Sequence, residues 1–172
     1  MIKSLPARSE ENTEKENLSQ NIEEIYNRHV NMIYQVSYSY MKNTADTEDI
    51  VEDVFVNLLK AKIVFKSAEH EKAWLLRTAI NLCKNSLKNS RRKNANIDDY
   101  ENLPSKNLFK ESETFRIVMD LPDKYKEVIY LHYYEGYTSA EMAKILKKNQ
   151  STIRNHLQEA RKILKEVLEN EE

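Results

Sequence analysis

The stretch EGYTSAEMAKILKKNQSTIRNHLQEARKIL, residues 135–164, decides the reading of this chain. It opens on Gly136, the only glycine in 172 residues, placed after the run YLHYYE where a helix C-terminus calls for a left-handed residue. Two residues later, Thr138-Ser139-Ala140-Glu141 has the spacing of a capping box, in which the Thr hydroxyl and the Glu carboxylate each satisfy the other's free backbone N–H. A short helix to Lys147 is expected, then a tight turn at Lys148-Asn149-Gln150. A long helix follows, with Ile153, Leu157, Ala160, Leu164 and Val167 on one face. Helix, short turn and longer helix with a polar, basic front end form a helix-turn-helix pattern. If Asn149 caps the second helix, Ser151, Arg154, Asn155 and Gln158 project away from the apolar stripe. These side chains can pair with base edges and phosphates in a major groove, and the helix N-terminus adds attraction for phosphate. A helical hairpin with a solvated face is the bland alternative.

Composition agrees with an all-helical protein. One Gly and three Pro stand where ordinary usage would place about a dozen and about nine. Sandwiches, barrels and doubly wound sheets need such residues at nearly every connection, and phosphate-cradling loops need several glycines together. Charged residues make up 32% and hydrophobic ones 40%, enough for one or two small cores under a large solvated surface. No apolar run approaches the ~20 residues of a membrane span, and the N-terminus lacks the apolar stretch of a signal peptide, so a cytoplasmic protein without membrane insertion is expected. The lone Cys83 excludes an internal disulfide and a CxxC motif.

The net charge of -1, from 27 Lys+Arg and 28 Asp+Glu, hides a strong segregation. Lys72 to Lys93 carries seven bases and no acid, and Lys144 to Lys165 carries seven bases against Glu159 alone. The balancing acids lie in Asp46 to Asp53, with five carboxylates and no base, and in Asp98 to Glu113. Two basic zones and one acidic helix read as three different contact surfaces.

Upstream of the helix-turn-helix, residues 1–18 are polar and aperiodic and are expected to form a disordered leader. Helical periodicity starts after Ser19, with Ile22, Ile25, Tyr26, His29, Ile33, Val36 and Tyr40 on one stripe. A second helix near Asp46 turns Ile50, Val51, Val54, Phe55, Leu58 and Leu59 inward and Asp49, Glu52, Asp53 and Lys60 outward. After a loop around Phe65 to Glu71, a third helix buries Ala73, Leu76, Ile80, Cys83 and Leu87. Residues 19–93 can share one core. Residues 94–112 lose periodicity and form a flexible acidic linker, and 113–172 make the second small domain, with a break at Leu121-Pro122.

On the third helix Arg77, Asn81, Lys84 and Lys88 recur at steps of four, three and four, with Asn85 beside them. A basic stripe next to an aromatic loop holding Phe65, Lys66 and, further on, Trp74 suits a single strand whose bases are turned out and stacked, against the alternative of a solvated charged face. Catalysis is not expected: the four His are scattered without ligand spacing, and Cys83 faces the core. Neither a cofactor nor a metal is expected. The acidic face of Asp49, Glu52 and Asp53 suits docking of a basic protein partner.

Together these segments resemble the sigma-70 family of bacterial transcription initiation factors, in its small two-domain extracytoplasmic-function (ECF) group. DTEDIVEDVFVNLLK looks like the family's core-polymerase-binding helix, KAWLLRTAINLCKNSLKNSRRK like its promoter-melting helix, and residues 121–164 like its -35-reading domain. The resemblance implies that Asp49, Glu52 and Asp53 meet the clamp helices of the polymerase largest subunit, with the flap region as a second contact. It implies that Phe65 and the loop through Glu71, with Asn81, hold a flipped base of the -10 element, that Lys84, Asn85 and Lys88 grip backbone near the melted junction, and that Lys66 and Arg77 belong to the same -10-binding set. It implies that Ser151, Thr152, Arg154, Asn155, His156 and Gln158 enter the major groove of the -35 element. An anti-sigma factor is a further partner the resemblance allows. Lys147-Lys148 stand where the family usually has Gly-Ile, and Glu159 and His156 where basic residues are common, so a shifted -35 preference is expected. A stand-alone helix-turn-helix regulator that binds duplex DNA without polymerase is the competing reading.

Overall fold

The scarcity of glycine shows in how the helices end. In the computed structural model, which describes residues 8–93 and 113–169, α1 spans Arg8–Met41, α2 Thr44–Ala61 and α3 Ala68–Lys93. The second domain holds α4 (Glu113–Asp120), α5 (Asp123–Ile129), a π-helical turn at Tyr130–Tyr134, α6 (Ser139–Leu146) and α7 (Gln150–Glu169). Three helices stop at a left-handed residue, and each time it is lysine: Lys42 (φ 57°), Lys62 (φ 47°) and Lys147 (φ 51°). Gly136, at φ 76°, closes the π turn as its position before the helix-turn-helix predicts. Left-handed backbone crowds a Cβ and is relieved only by glycine, so each lysine is strained.

Starts follow local chemistry. Asn43 caps α2, its Oδ1 accepting from the Asp46 N–H at 2.8 Å while its amide donates to the Asp46 carboxylate at 2.8 Å. Ser67 Oγ accepts from the His70 N–H at 3.1 Å, so α3 begins at Ala68, inside the segment expected to be a loop to Glu71. Thr138 and Glu141 form the expected capping box, with both reciprocal bonds present. At the other end of the chain α1 starts at Arg8, well ahead of the expected start after Ser19. RSEENTEKENLSQ has neither Gly nor Pro and holds several Glu, so the helix can extend through it. Residues 1–7 of the expected leader, and the whole expected linker at 94–112, lie outside the described residues.

α1, α2 and α3 pack as a bundle around Ile33, Val36, Ile50, Val54, Leu75, Leu76, Ala79, Ile80 and Cys83. Leu75 and Ala79 were absent from the expected core, whereas Leu59, expected inside, is 48% exposed, and Tyr26 is 43% exposed. Both belong to positions where a helix stripe is wider than the face its neighbours cover. Glu71 on α3 ties back to α1, accepting from the Arg28 guanidinium at 3.0 Å and lying 2.8 Å from His29 Nε2. In the second domain Val128, Ile129, Leu131, Met142, Ile153, Leu157 and Ala160 fill the space between α5, α6 and α7. The buried residues of the two domains are continuous with one another, and α3 packs against α6.

Lys62→Gly removes the left-handed strain at an exposed helix end. After allowance for the freer unfolded chain, a gain of about 0.5–1 kcal/mol is expected, read as a higher urea midpoint with unchanged slope. An unchanged or lower midpoint would contradict the strain argument.

Candidate nucleic-acid interface and docking faces

Helix α7 presents its N-terminal turns as the turn chemistry dictates. The Ile153 N–H donates to the Asn149 carbonyl at 3.1 Å, and Gln150 Nε2 donates to Ser139 Oγ at 3.0 Å, which ties the start of α7 to the start of α6. Ser151, Arg154, Asn155 and Gln158 are exposed on one side, opposite the buried Ile153, Leu157 and Ala160. Glu159 lies beside them, also exposed. Thr152 and His156 are half-buried. The His156 ring sits edge-on to Tyr125 at 5.9 Å, with Nδ1 buried and without a hydrogen-bond partner. Desolvation, with Lys148 nearby, lowers its pKa from the ordinary 6.5, so the imidazole is neutral and turned toward α5.

On α3 the stripe forms as its spacing predicts, but its members divide. Asn81, Asn85 and Lys88 are exposed, whereas Arg77 and Lys84 are half-buried against the second domain. Arg77 donates from Nε to the Ile145 carbonyl at 3.2 Å and from its terminal nitrogen to the Lys144 carbonyl at 2.6 Å, at the C-terminus of α6. Lys84 Nζ lies 2.5 Å from Glu127 Oε2. Seven residues before Asn81, and so on the same helical face, Trp74 holds Phe65 at 5.9 Å, and Phe65 contacts the His70 ring edge-on at 5.5 Å. The exposed Lys66 donates its backbone N–H to His70 Nδ1 at 3.3 Å, which fixes the loop beneath Phe65. The structure thus brings Phe65 and Trp74 to the head of the Asn81 stripe.

The acids of α2 are exposed at Asp49, Glu52 and Asp53. Beside them runs a groove between α1 and α2 lined by Tyr26, Val30, Tyr34, Val51, Phe55 and Leu59, with Glu48 and Glu52 at its edge. Tyr26 packs on Phe55 with ring centroids 4.7 Å apart. Sequence periodicity assigned Tyr26 and Leu59 to the core and so missed this apolar strip. The wide stripe on α1 was the only available signal. A second apolar face lies at the end of α7, where Tyr133, Leu164 and Leu168 surround Arg161, whose Nε donates to Tyr133 Oη at 2.9 Å.

Among the described residues, no group of three His, Cys, Asp or Glu side chains is placed to hold a metal ion. Burial pushes the Cys83 thiol up to about 12, so it is protonated and packs as an apolar side chain. No helix among the described residues is long and apolar enough to cross a membrane.

Two family models match in order along the chain: Sigma-70 region 2 over residues 25–93 and Sigma-70, region 4 over residues 115–164. The chain is 26% identical to RNA polymerase sigma factor SigV of Bacillus subtilis (strain 168) over 153 residues, which cover 84% of this chain and 89% of that one. It is 25% identical to ECF RNA polymerase sigma factor SigM of the same strain over 154 residues, covering 84% of this chain and 93% of the relative. Among solved structures, the fold matches the sigma factor RpoE in complex with the anti-sigma factor NepR from Bartonella quintana. There the TM-score is 0.67 at 19% identity, over 89% of this chain and 97% of that one. It also matches CnrH in complex with the cytosolic domain of CnrY, with a TM-score of 0.63 at 19% identity, over 90% of this chain and 91% of that one.

The depressed His156 pKa gives a signed expectation. The unfolded chain takes up the proton first as pH falls, so His156 contributes stability that is present above about pH 6.5 and lost as pH falls below it. NMR titration should place the His156 midpoint below 6.5. A midpoint at or above that value would return the ring to the DNA-facing set.

Proposed function

We propose how this chain works from the premise that it belongs to the sigma-70 family of RNA polymerase sigma factors, in the extracytoplasmic-function group. It binds core RNA polymerase and directs transcription initiation at promoters through -35 and -10 elements. The assignment of residues rests on one observation: each matched region carries an exposed polar face of the chemistry its task requires. Ser151, Arg154, Asn155 and Gln158 read base edges and phosphates of the -35 element from the first turns of α7. Thr152 and His156 support that helix from its inner side, His156 through Tyr125. Glu159 repels phosphate at the edge of the same face, which shifts the preferred -35 sequence or position.

At the -10 element the chain melts DNA by capturing bases, with no covalent step of its own. Turning a base out of a duplex costs a few kcal/mol. Stacking on an aromatic ring returns about 1–3 kcal/mol per base. Phe65 and Trp74 supply the rings, Asn81 and Asn85 the hydrogen bonds, and Lys66, Arg77, Lys84 and Lys88 the backbone contacts. Asp49, Glu52 and Asp53 steer a basic helix of the polymerase clamp toward α2, where Tyr26, Phe55 and Leu59 give it apolar surface to bury. The Tyr133, Leu164 and Leu168 face suits the flap region. The factor works in the cytoplasm, where polymerase and promoters are. The likeness to sigma factors solved with anti-sigma partners supports an anti-sigma factor as a further ligand of these faces.

Run-off transcription with core enzyme and a promoter library tests the reading. Transcripts that require this chain are expected, and a tight duplex footprint without core, with no transcript when core is added, would overturn it. At site level, Asn81→Ala should slow open-complex formation about tenfold or more while leaving closed duplex binding within about twofold, a difference of about 1.4 kcal/mol. Glu52→Lys with Asp53→Lys should weaken core binding without loss of helix content by circular dichroism.

A further inference from the structure

Two members of the stripe that should hold melted DNA, Arg77 and Lys84, are held by the chain's own second domain. Glu127 on α5 has a side chain with no exposed surface, yet three donors from three other elements converge on it. Lys84 Nζ on α3 lies 2.5 Å from Oε2, Lys148 Nζ in the helix-turn-helix turn donates to Oε1 at 2.6 Å, and Tyr40 Oη on α1 donates to Oε2 at 3.1 Å. Around this centre the contacts keep one polarity. Lys72 of the first domain pairs with Glu135 at 2.8 Å, Lys42 with Asp120 at 3.2 Å, and Arg77 caps the carbonyls that end α6. In these three contacts, as in Lys84–Glu127, the base comes from the first domain and the acid or carbonyl from the second.

We propose that α5 and the turn that follows it act as an internal substitute for DNA phosphate, a latch that holds the free factor closed through Glu127 and keeps Arg77 and Lys84 from nucleic acid. The inference rests on the reading of α3 as the -10 surface. Glu127 is fully buried while its lysines are partly exposed, so the latch is screened less than contacts between two exposed side chains. Opening exchanges one carboxylate for phosphates at Lys84, while Lys148, which lies in the same domain as Glu127, stays behind as its counter-charge. The α7 face is already exposed in the closed form, so what opening makes available is the α3 surface, and nucleic acid bound there favours the open form.

The test is intramolecular energy transfer in the full chain labelled at Lys60→Cys and Lys162→Cys, two exposed positions on α2 and α7, with Cys83 left buried. High transfer is expected for the free factor, and Glu127→Gln should lower it. Because a variant at a buried position can unfold its domain, the exposed side of the seam gives a second arm. Lys72→Glu should lower transfer, and Lys72→Glu with Glu135→Lys should restore it. Affinity of the free chain for a single-stranded -10 oligonucleotide should rise about tenfold in the open variants, as expected if the closed form holds about nine-tenths of the population. Low transfer in the wild type, or high transfer in both Glu127→Gln and Lys72→Glu, would overturn the latch. Equal oligonucleotide affinity in open and closed forms would overturn its blocking role. Loss of promoter function in every form, with core enzyme present, would strike the -10 reading instead, since transfer is measured without DNA or polymerase.

Discussion

A carboxylate removed from water has to be neutralised where it stands, and Glu127 makes that demand at the seam of the molecule. Moving one ion into a protein interior costs several kcal/mol after relaxation. Here the return comes from two ammonium groups and a tyrosine hydroxyl, delivered by α1, α3 and the turn before α7. The neighbourhood responds accordingly. Tyr40 has its pKa raised well above the usual value by burial and by Glu127, so it stays a donor. Lys126, one residue away and nearly as buried, has its pKa lowered by desolvation against the pull of Asp123, and its ammonium lies 5.2 Å from the centre of the Tyr40 ring. Withdrawing Lys84 and Tyr40 would leave the carboxylate with Lys148 alone, so the positions of α3 and the helix-turn-helix are set together.

This constraint explains which parts of the chain were legible beforehand. Helix ends and caps are local, and Gly136, Thr138 and Glu141 showed their roles through spacing of a few residues. The exposed faces of α2 and α7 were legible for the same reason, since a 3.6-residue period fixes which side chains oppose a core. Docking of the domains is not local. Arg77 and Lys84 read as DNA ligands because charge on a helix face is read as facing solvent, while their partners lie 43 or more residues onward in a segment that resembles an ordinary apolar helix with one charged pair. The Lys126-Glu127 pair inside YKEVIYL, residues 125–131, was the available signal, and charged residues are so seldom fully buried that it carried little weight.

The π-helical turn shows how the second domain reaches the seam. Inserting one residue between Tyr130 and Tyr134 lets the Glu135 N–H bond back to the Tyr130 carbonyl at 3.3 Å and the Tyr137 N–H to the Leu131 carbonyl at 2.9 Å. The shift leaves Tyr130 buried with its hydroxyl pointing across the seam, donating to Gln35 of α1 at 3.2 Å or to Glu135 at 3.0 Å. It also leaves Glu135 within reach of Lys72. A regular α-helix would rotate these groups by about 100° per residue and lose one set of contacts. Irregular backbone therefore sits where two surfaces must be met at once: the core of its own domain and the face of the other.

The near-zero net charge hides segregated basic and acidic zones, and part of the basic zone on α3 faces the second domain. Two of the basic residues suited to a polyanion, Arg77 and Lys84, are matched by helix-end carbonyls and an acid of the same chain. Such matching limits its own strength, because a seam much tighter than the DNA contacts it replaces would silence the factor. One much weaker would leave the basic α3 surface open to any nucleic acid. A closed population of about ten to one corresponds to about 1.4 kcal/mol. That margin is small beside the contacts involved, which fits a seam in which a favourable Coulomb term is offset by the cost of burying Glu127. The desolvation that makes Glu127 demanding is thus also what keeps the closed state within reach of opening.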